Sequence, residues 1–345
     1  MADDAPTDAT ADPTALSDLL DRVETSLIGG PRRYTRVEMA QKSGLPIDEM
    51  RTYWRALGFA AVDDDQRNFA DPDVGVLRRV HELQSVGGFD DEAMLAITRI
   101  IGQTFARLAS WQGQFMIEML AARSAPVAGA DPVPDPDVAV GLIDELAPVI
   151  TSLQDWVWRR QLAAYFSRVA ANAGAGTGVD ADLVVGFVDM AGFTTLTRRS
   201  SEAELREVLT AFETLATDVV VSHDGQIVKT IGDEILFTAD TPREGALIAL
   251  DMIERSADVE VLPQLRGGVA FGAVVSRWGD VYGQPVNIAS RLTSIARTDS
   301  VLVDDVLAGR LADDDGLVLH SMRPVSVRGY RHLKPWRLRR AAPAR

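Results

Sequence analysis

The sequence predicts an α+β chain, with helices in its first half and a mixed unit of strands and helices in its second. Three observations carry that prediction. An apolar run, Leu183 to Val188, stops at Asp189 with Gly192 just beyond, the pattern of a strand that ends in a tight turn. From Glu202, the positions Leu205, Val208, Leu209, Phe212, Leu215 and Val219 recur every three or four residues, which is one packed helical face that His223-Asp224-Gly225 brings to an end. Gln226 to Thr230 and Ile235 to Thr238 then read as short strands joined across Ile231-Gly232-Asp233-Glu234, a tight hairpin containing glycine.

Upstream, every periodic segment is helical. Residues 1–13 are rich in Ala, Asp, Thr and Pro and predict a disordered tail. Leu16, Leu19, Leu20, Val23 and Leu27 form a helical stripe that stops at Gly29-Gly30. Tyr34 to Phe59 reads as a short helix, a glycine-containing turn and a second helix. Val74, Leu77, Val80 and Leu83 make another stripe before Gly87-Gly88, and Asp91 to Leu108 and Trp111 to Leu120 predict two more helices. The proline- and alanine-rich stretch Ser124 to Asp137 has no periodicity and reads as a break. An amphipathic segment, Val138 to Ile150, follows, then a helix from Leu153 to Ala171 carrying Trp156, Trp158, Leu162, Tyr165, Phe166 and Val169. The expected division is a tail at 1–13, a helical domain at 14–150, a connecting helix and linker at 151–177, and a catalytic unit at 178–340.

Composition limits the chemistry. The net charge of −15 argues against a general polyanion-binding surface. The absence of cysteine excludes disulfides, thiolate catalysis and cysteine metal sites. Four scattered histidines, at 81, 223, 320 and 332, argue against a histidine-rich zinc site. No uninterrupted apolar run reaches membrane-spanning length, so the expectation is a cytoplasmic chain without a membrane span.

The chemistry-bearing residues gather in two clusters. Asp189 and Asp233 each stand at a strand end beside a turn, and sheet pairing can bring them together despite their separation. Two carboxylates so placed can hold two divalent cations over a triphosphate, with the carbonyl of Met190 as a backbone ligand; oxygen donors suit Mg²⁺ or Mn²⁺ rather than zinc. The bland alternative is a pair of turn aspartates, and a polymerase or phosphatase could use the same metals. Downstream, Asp280 sits in RWGDVYGQPVN, and Asn287 and Arg291 share a helical face while Ile288, Leu292 and Ile295 pack. Adenine offers an amino donor beside a ring-nitrogen acceptor, which a carboxylate from Asp280 and an ammonium from Lys229 would match; guanine has the opposite pattern on that edge. Arg291 can neutralise charge on a transferred phosphoryl group and Asn287 can orient a ribose. A solvent-facing lysine and an ordinary turn aspartate are the plain alternatives.

FVDMAGFT, KTIGDEILF and WGDVYGQPVNIASR resemble, in order and spacing, the signature segments of the class III adenylyl/guanylyl cyclases. The resemblance covers about Val179 to Leu338. It implies a ferredoxin-like catalytic domain, working as a head-to-tail homodimer that turns a nucleoside triphosphate into a 3′,5′-cyclic monophosphate and pyrophosphate. It implies Asp189 and Asp233 as metal ligands for two Mg²⁺ or Mn²⁺ ions, Lys229 and Asp280 as the adenine-selecting pair for ATP, Asn287 as the ribose-orienting residue and Arg291 as the transition-state arginine. The two groups would come from opposite subunits of shared sites. One departure is VRGYR at Val327 to Arg331, where the family has a lysine near the terminal phosphates; Arg328 or Arg331 would supply that charge. From Arg323 to Arg345 there are eight Arg/Lys and no acids, so a solvated basic tail is the plain reading of much of that run. The helical front end resembles the regulatory domain of soluble actinobacterial adenylyl cyclases, which implies autoinhibition and a fatty acid or lipid as a partner. Within it, Tyr34 to Phe59 resembles the helix-turn-helix of MerR-type regulators. Nine Arg/Lys balance nine Asp/Glu between Arg32 and Gln84, so no phosphate-binding excess supports nucleic acid there. The competing readings are a guanylyl cyclase, and a DNA-binding regulator carrying an inactive cyclase-like dimerisation module.

Overall fold

Helices make up every named element through Ala173, and the first strand begins at Asp180, where the apolar periodicity changes. The structure, a computed structural model, describes residues 13–86, 90–123, 135–173, 180–277 and 279–342. The expected tail, most of the Ser124 to Asp137 break, Gly87-Gly88, most of the AGAGT linker and Trp278 therefore lie outside the described residues. The chain divides into two units, Met1–Tyr165 and Phe166–Arg345.

The first unit holds α1 (Pro13–Ile28), α2 (Arg36–Ser43), α3 (Ile47–Ala56), α4 (Asp71–Val86), α5 (Asp91–Arg123) and most of α6 (Pro136–Ala173). A capping box starts α2: the Thr35 side chain accepts from the Glu38 N–H while Glu38 accepts from the Thr35 N–H. Such a cap stabilises a helix by about 1 kcal/mol. Gly44 ends α2 and sets up the turn into α3. Met39, Leu45, Met50 and Phe69 form the buried centre, and a bridge from Tyr34 to Phe69 closes the segment on itself. Two expectations change here. The segments Asp91 to Leu108 and Trp111 to Leu120 are one 33-residue helix, α5, because Ala109-Ser110 contains no breaker strong enough to stop it. Likewise Val138 to Ile150 and Leu153 to Ala171 belong to one 38-residue helix, α6, which passes through Pro148 and the expected 150/151 boundary. None of the described helices is long and apolar enough to cross a membrane.

The second unit runs β1 (Asp180–Met190), α7 (Phe193–Thr197), α8 (Glu202–Ser222), β2 (Gln226–Ile231), β3 (Glu234–Ala239), α9 (Pro242–Ser256), β4 (Leu265–Arg277), β5 (Asp280–Tyr282), α10 (Gln284–Ile295), β6 (Ser300–Val303), α11 (Asp305–Arg310), β7 (Leu317–Ser321), β8 (Val325–Val327), β9 (Tyr330–Leu333) and β10 (Trp336–Arg340). The sheet order is β2-β3-β1-β4-β6-β10-β7, with β5 on β4 and β8-β9 as a separate hairpin. Its first four strands pair antiparallel in the βαββαβ arrangement of the expected ferredoxin-like fold. Alternation along β1 explains the two layers. Val184 and Val188 join Phe212, Val219, Ile248 and Met252 of α8 and α9 on one face, whereas Val185 and Phe187 join Leu236, Ala270 and Ala289 on the face that α10 covers. Gly268 lets α10 lie directly on β4, since a Cβ there would meet the Thr293 backbone nitrogen at 2.3 Å. Ile295, expected on the packed side of α10, is exposed, because the helix ends there and turns away at Ala296.

Candidate active site

Antiparallel pairing gives the first cluster its geometry. Asp189 lies near the end of β1 opposite Glu234, the first residue of β3. The hairpin before it turns on Gly232, whose φ of 63° is the left-handed conformation that favours glycine. The Met190 N–H donates to the carbonyl of Asp233 at 3.1 Å, which ties the hairpin to the strand end. The structure thus brings Asp189, Met190 and Asp233 together at one corner of the sheet. The two carboxylates are close enough that Asp233 contributes to the titration of Asp189.

A residue that sequence reasoning missed completes this corner. Arg266, the second residue of β4, is the register partner of Asp189. It donates to Asp189 Oδ2 from Nε at 2.7 Å and from Nη2 at 2.5 Å. Burial pushes the Asp189 carboxyl above the usual carboxylate range; Arg266 opposes that rise and the neighbouring Asp233 adds to it. Glu234 feels the same crowding more strongly. Burial, then Asp189 and Asp233, push its carboxyl up to about 7, against the pull of Arg266. Three acids and one arginine therefore share the corner, an excess of negative charge that a cation would relieve.

The second cluster centres on an ion pair. Lys229 Nζ donates to Asp280 Oδ2 at 2.5 Å, across a sequence separation of 51 residues. Burial alone would raise the Asp280 carboxyl, but the Lys229 bond, the Val281 N–H and the lysine's charge carry it below the usual range. Lys229 lies on β2 opposite Leu236 of β3, and β5 presents Asp280 after doubling back on β4. Asn287 and Arg291 follow on α10, which Pro285 opens. The Asn287 amide donates to the Gly283 carbonyl at 3.4 Å, and the Arg291 guanidinium, half-buried, has no ion-pair partner among the described residues. Arg328 sits in the β8-β9 turn and Arg331 on β9; both are exposed and neither has an ion-pair partner among the described residues.

The described residues gather no set of three or more His, Cys, Asp or Glu side chains into a single metal cage. Asp189 and Asp233 do fit a hard divalent cation that takes its remaining oxygens from a phosphate, since they are paired carboxylates at a crowded, negatively charged corner.

Comparison with known proteins shows the family. The family model of the adenylate and guanylate cyclase catalytic domain matches residues 180–340. An adenylate cyclase of Streptomyces coelicolor is 41% identical over 304 residues, covering 88% of this chain and 77% of that protein. The chain belongs to the class III cyclases. An adenylate cyclase of Glutamicibacter nicotianae is 33% identical over 341 residues, with 94% of this chain and 83% of that one covered. Among solved structures, the catalytic core of a rhodopsin-guanylyl cyclase with converted specificity, in complex with ATPalphaS, aligns at 21% identity and a TM-score of 0.44, over 47% of this chain and 98% of that one. A class III cyclase is an enzyme of the lyase type, and this one carries its catalytic domain behind a helical N-terminal region.

Proposed function

We propose that the chain is an adenylyl cyclase, converting ATP to 3′,5′-cyclic AMP and pyrophosphate as a homodimer with two shared sites. The observation that carries this reading is the 2.5 Å Lys229–Asp280 pair. A donor and an acceptor fixed side by side match the ring nitrogen and amino group of adenine, and mismatch guanine on both atoms. On substrate binding the pair would exchange its mutual bond for two bonds to the base.

Two Mg²⁺ or Mn²⁺ ions, when bound, lower the pKa of the ribose hydroxyl and neutralise the phosphates. Asp189 and Asp233 would hold them, with the Met190 carbonyl as a backbone ligand. With a cation held at Asp189, the two N–H donors that Arg266 now gives to that carboxylate would be available to the triphosphate, a role its fork geometry suits. From the other subunit, Asn287 orients the ribose, Arg291 stabilises the charge that develops as the 3′-hydroxyl attacks the α-phosphate, and Arg328 faces the terminal phosphates. The helical domain at 14–150, linked through 151–177, would regulate how the two catalytic units meet.

The test is product formation by purified full-length protein with manganese and either ATP or GTP. Cyclic AMP from ATP, with little cyclic GMP from GTP, is expected. Equal or greater cyclic GMP formation overturns the base assignment. Mixing Asp189→Asn chains with Arg291→Ala chains should restore activity, because one of the two sites in the mixed dimer is intact; failure to recover activity when the mixed dimer is shown to form refutes shared sites.

A further inference from the structure

A polar cavity of about 290 Å³ lies in the helical unit, between α2, α3 and the loop after α3, lined by Arg36, Arg51, Trp54, Arg55, Asp63 and Asp64 among others. Three guanidinium groups face two carboxylates. Arg36, the first residue of α2, has a side chain only 4% exposed, and its Nη1 donates to Asp64 Oδ1 at 2.5 Å. Arg51 Nη2 reaches both oxygens of the same carboxylate, at 2.9 Å and 3.3 Å, while its Nη1 donates to Asp48 at 3.0 Å. Among the described residues, Arg55 has no ion-pair partner and the buried Arg36 Nε has no acceptor.

That arrangement is costly as a purely structural one. A buried N–H without a partner loses its hydration and gains nothing in return. Among the lining residues three guanidiniums meet the two carboxylates of Asp63 and Asp64, with Asp48 engaging the outer side of Arg51. Asp64 is a weak resident: its side chain is 44% exposed and it lies between two exposed acids, Asp63 and Asp65. Trp54 also lines the cavity. Trp54 donates from Nε1 to the Ala60 carbonyl at 2.8 Å and packs against Phe59 and Phe69 with ring centroids 4.4 Å and 5.0 Å away.

We propose that this cavity is a receptor for a small oxyanion, a phosphate or a compact carboxylate, and that the Asp64 carboxylate occupies the place of the ligand's oxygens in the empty state. Arginine forks take both anions in bidentate fashion. The polar lining suits a small charged ligand rather than an acyl chain. The inference stands apart from the cyclase assignment, since every residue in it belongs to the helical unit.

Calorimetric titration of the full-length chain with inorganic phosphate, and separately with malonate, tests it. Saturable binding of one anion per chain is expected, and the stronger of the two titrations identifies the ligand class. Asp64→Asn removes the internal competitor and should tighten binding about tenfold, whereas Arg55→Gln should weaken it about tenfold. Arg55 is exposed, so its replacement leaves folding intact, which an unchanged thermal midpoint verifies; Arg36 is too buried for that purpose. Absence of saturable binding to both anions in the wild type and in Asp64→Asn overturns the proposal. Binding that Arg55→Gln leaves unchanged overturns it as well, by placing the anion elsewhere. Duplex DNA binding that phosphate does not compete with, and that Arg55→Gln abolishes, would assign the arginines to a nucleic-acid backbone instead.

Discussion

The two units bury their apolar residues very differently. In the sheet unit, Phe212, Phe237, Ile248 and Met252 have no exposed surface, because helices cover both faces of the central strands. In the helical unit, α5 leaves Trp111 and Ile117 exposed at 64% and 68%, and α6 leaves Trp156 and Trp158 exposed at 59% and 60%. A sheet with both faces covered is a finished core. Long helices are finished only when something lies along them. The exposed stripe on α6 also changes sides: Val149, Leu153 and Trp156 fall on one face, while Trp158, Leu162, Tyr165 and Val169 fall on nearly the opposite one. That pattern suits a helix with two successive neighbours, and the homodimer proposed above supplies a second copy of the chain as a candidate.

The largest expected effect tests whether the chemistry resides wholly in the sheet unit. Asp189→Asn or Asp233→Asn should lower cyclic AMP formation by about a thousandfold or more, given what paired metal ligands contribute, with the thermal midpoint little changed. Measured turnover within tenfold of the wild type in either variant would separate activity from that corner.

Next in size is the difference in packing itself. Phe212→Ala opens a cavity in a closed core and should cost about 3–5 kcal/mol in urea unfolding. Trp156→Ala removes a mostly exposed ring and should cost the isolated chain about 0.5 kcal/mol or less. If the tryptophan lies in a dimer interface, however, Trp156→Ala and Trp158→Ser together should raise the dimer dissociation constant at least about tenfold, read by analytical ultracentrifugation. Unchanged self-association would leave α6 without a neighbouring copy and break the comparison at its helical end.

What the sequence made legible follows the same division. Strand ends, hairpin and helix of the catalytic unit were readable between Val184 and Leu236 because each has its own local period and its own turn residues. Asp189 and Asp233 were nameable for that reason. Arg266 was not, since nothing local marks it: it acquires its role only through the β1-β4 register, 77 residues from its partner. The 13-residue strand β4 that carries it was likewise unread, its LRGGVAFGAVVSR pattern interrupted by glycines that serve close packing against α10. In the helical unit the error ran the other way. Ala109-Ser110 and the gap between Ile150 and Leu153 were read as stopping points, but propensity is a weak force beside the continuity of a long helix, and α5 and α6 run through them. The arginine cavity was also hidden, because the balanced charge count between Arg32 and Gln84 averages over a cluster that only folding concentrates.

The smallest effect contrasts one carboxyl from each unit by sign. Asp304 is buried and accepts from the backbone N–H groups of Leu307 and Phe271; burial is the larger influence and holds its carboxyl above the usual range. Asp64 is held below that range, first by its bond to Arg36. A carboxyl raised in the folded state binds more protons folded than unfolded, so its contribution to stability is greatest in acid and declines as pH rises from the ordinary carboxylate value through the raised one. A carboxyl lowered in the folded state does the opposite: its contribution is present above the ordinary value and is lost as pH falls through the lowered one. Acidification from about pH 5.5 to about pH 3.5 should therefore lower the contribution of Asp64 to stability and raise that of Asp304. Urea titrations followed at Trp54 in one unit and at Trp336 in the other, in variants that keep only that tryptophan, read the two separately. Relative to the parent, Asp64→Asn should lessen the loss of stability in acid read at Trp54, and Asp304→Asn, which keeps an oxygen acceptor for both N–H groups, should shift the acid response read at Trp336 the opposite way. If Asp304→Asn leaves the slope at Trp336 unchanged, the burial of Asp304 does not outweigh its hydrogen bonds.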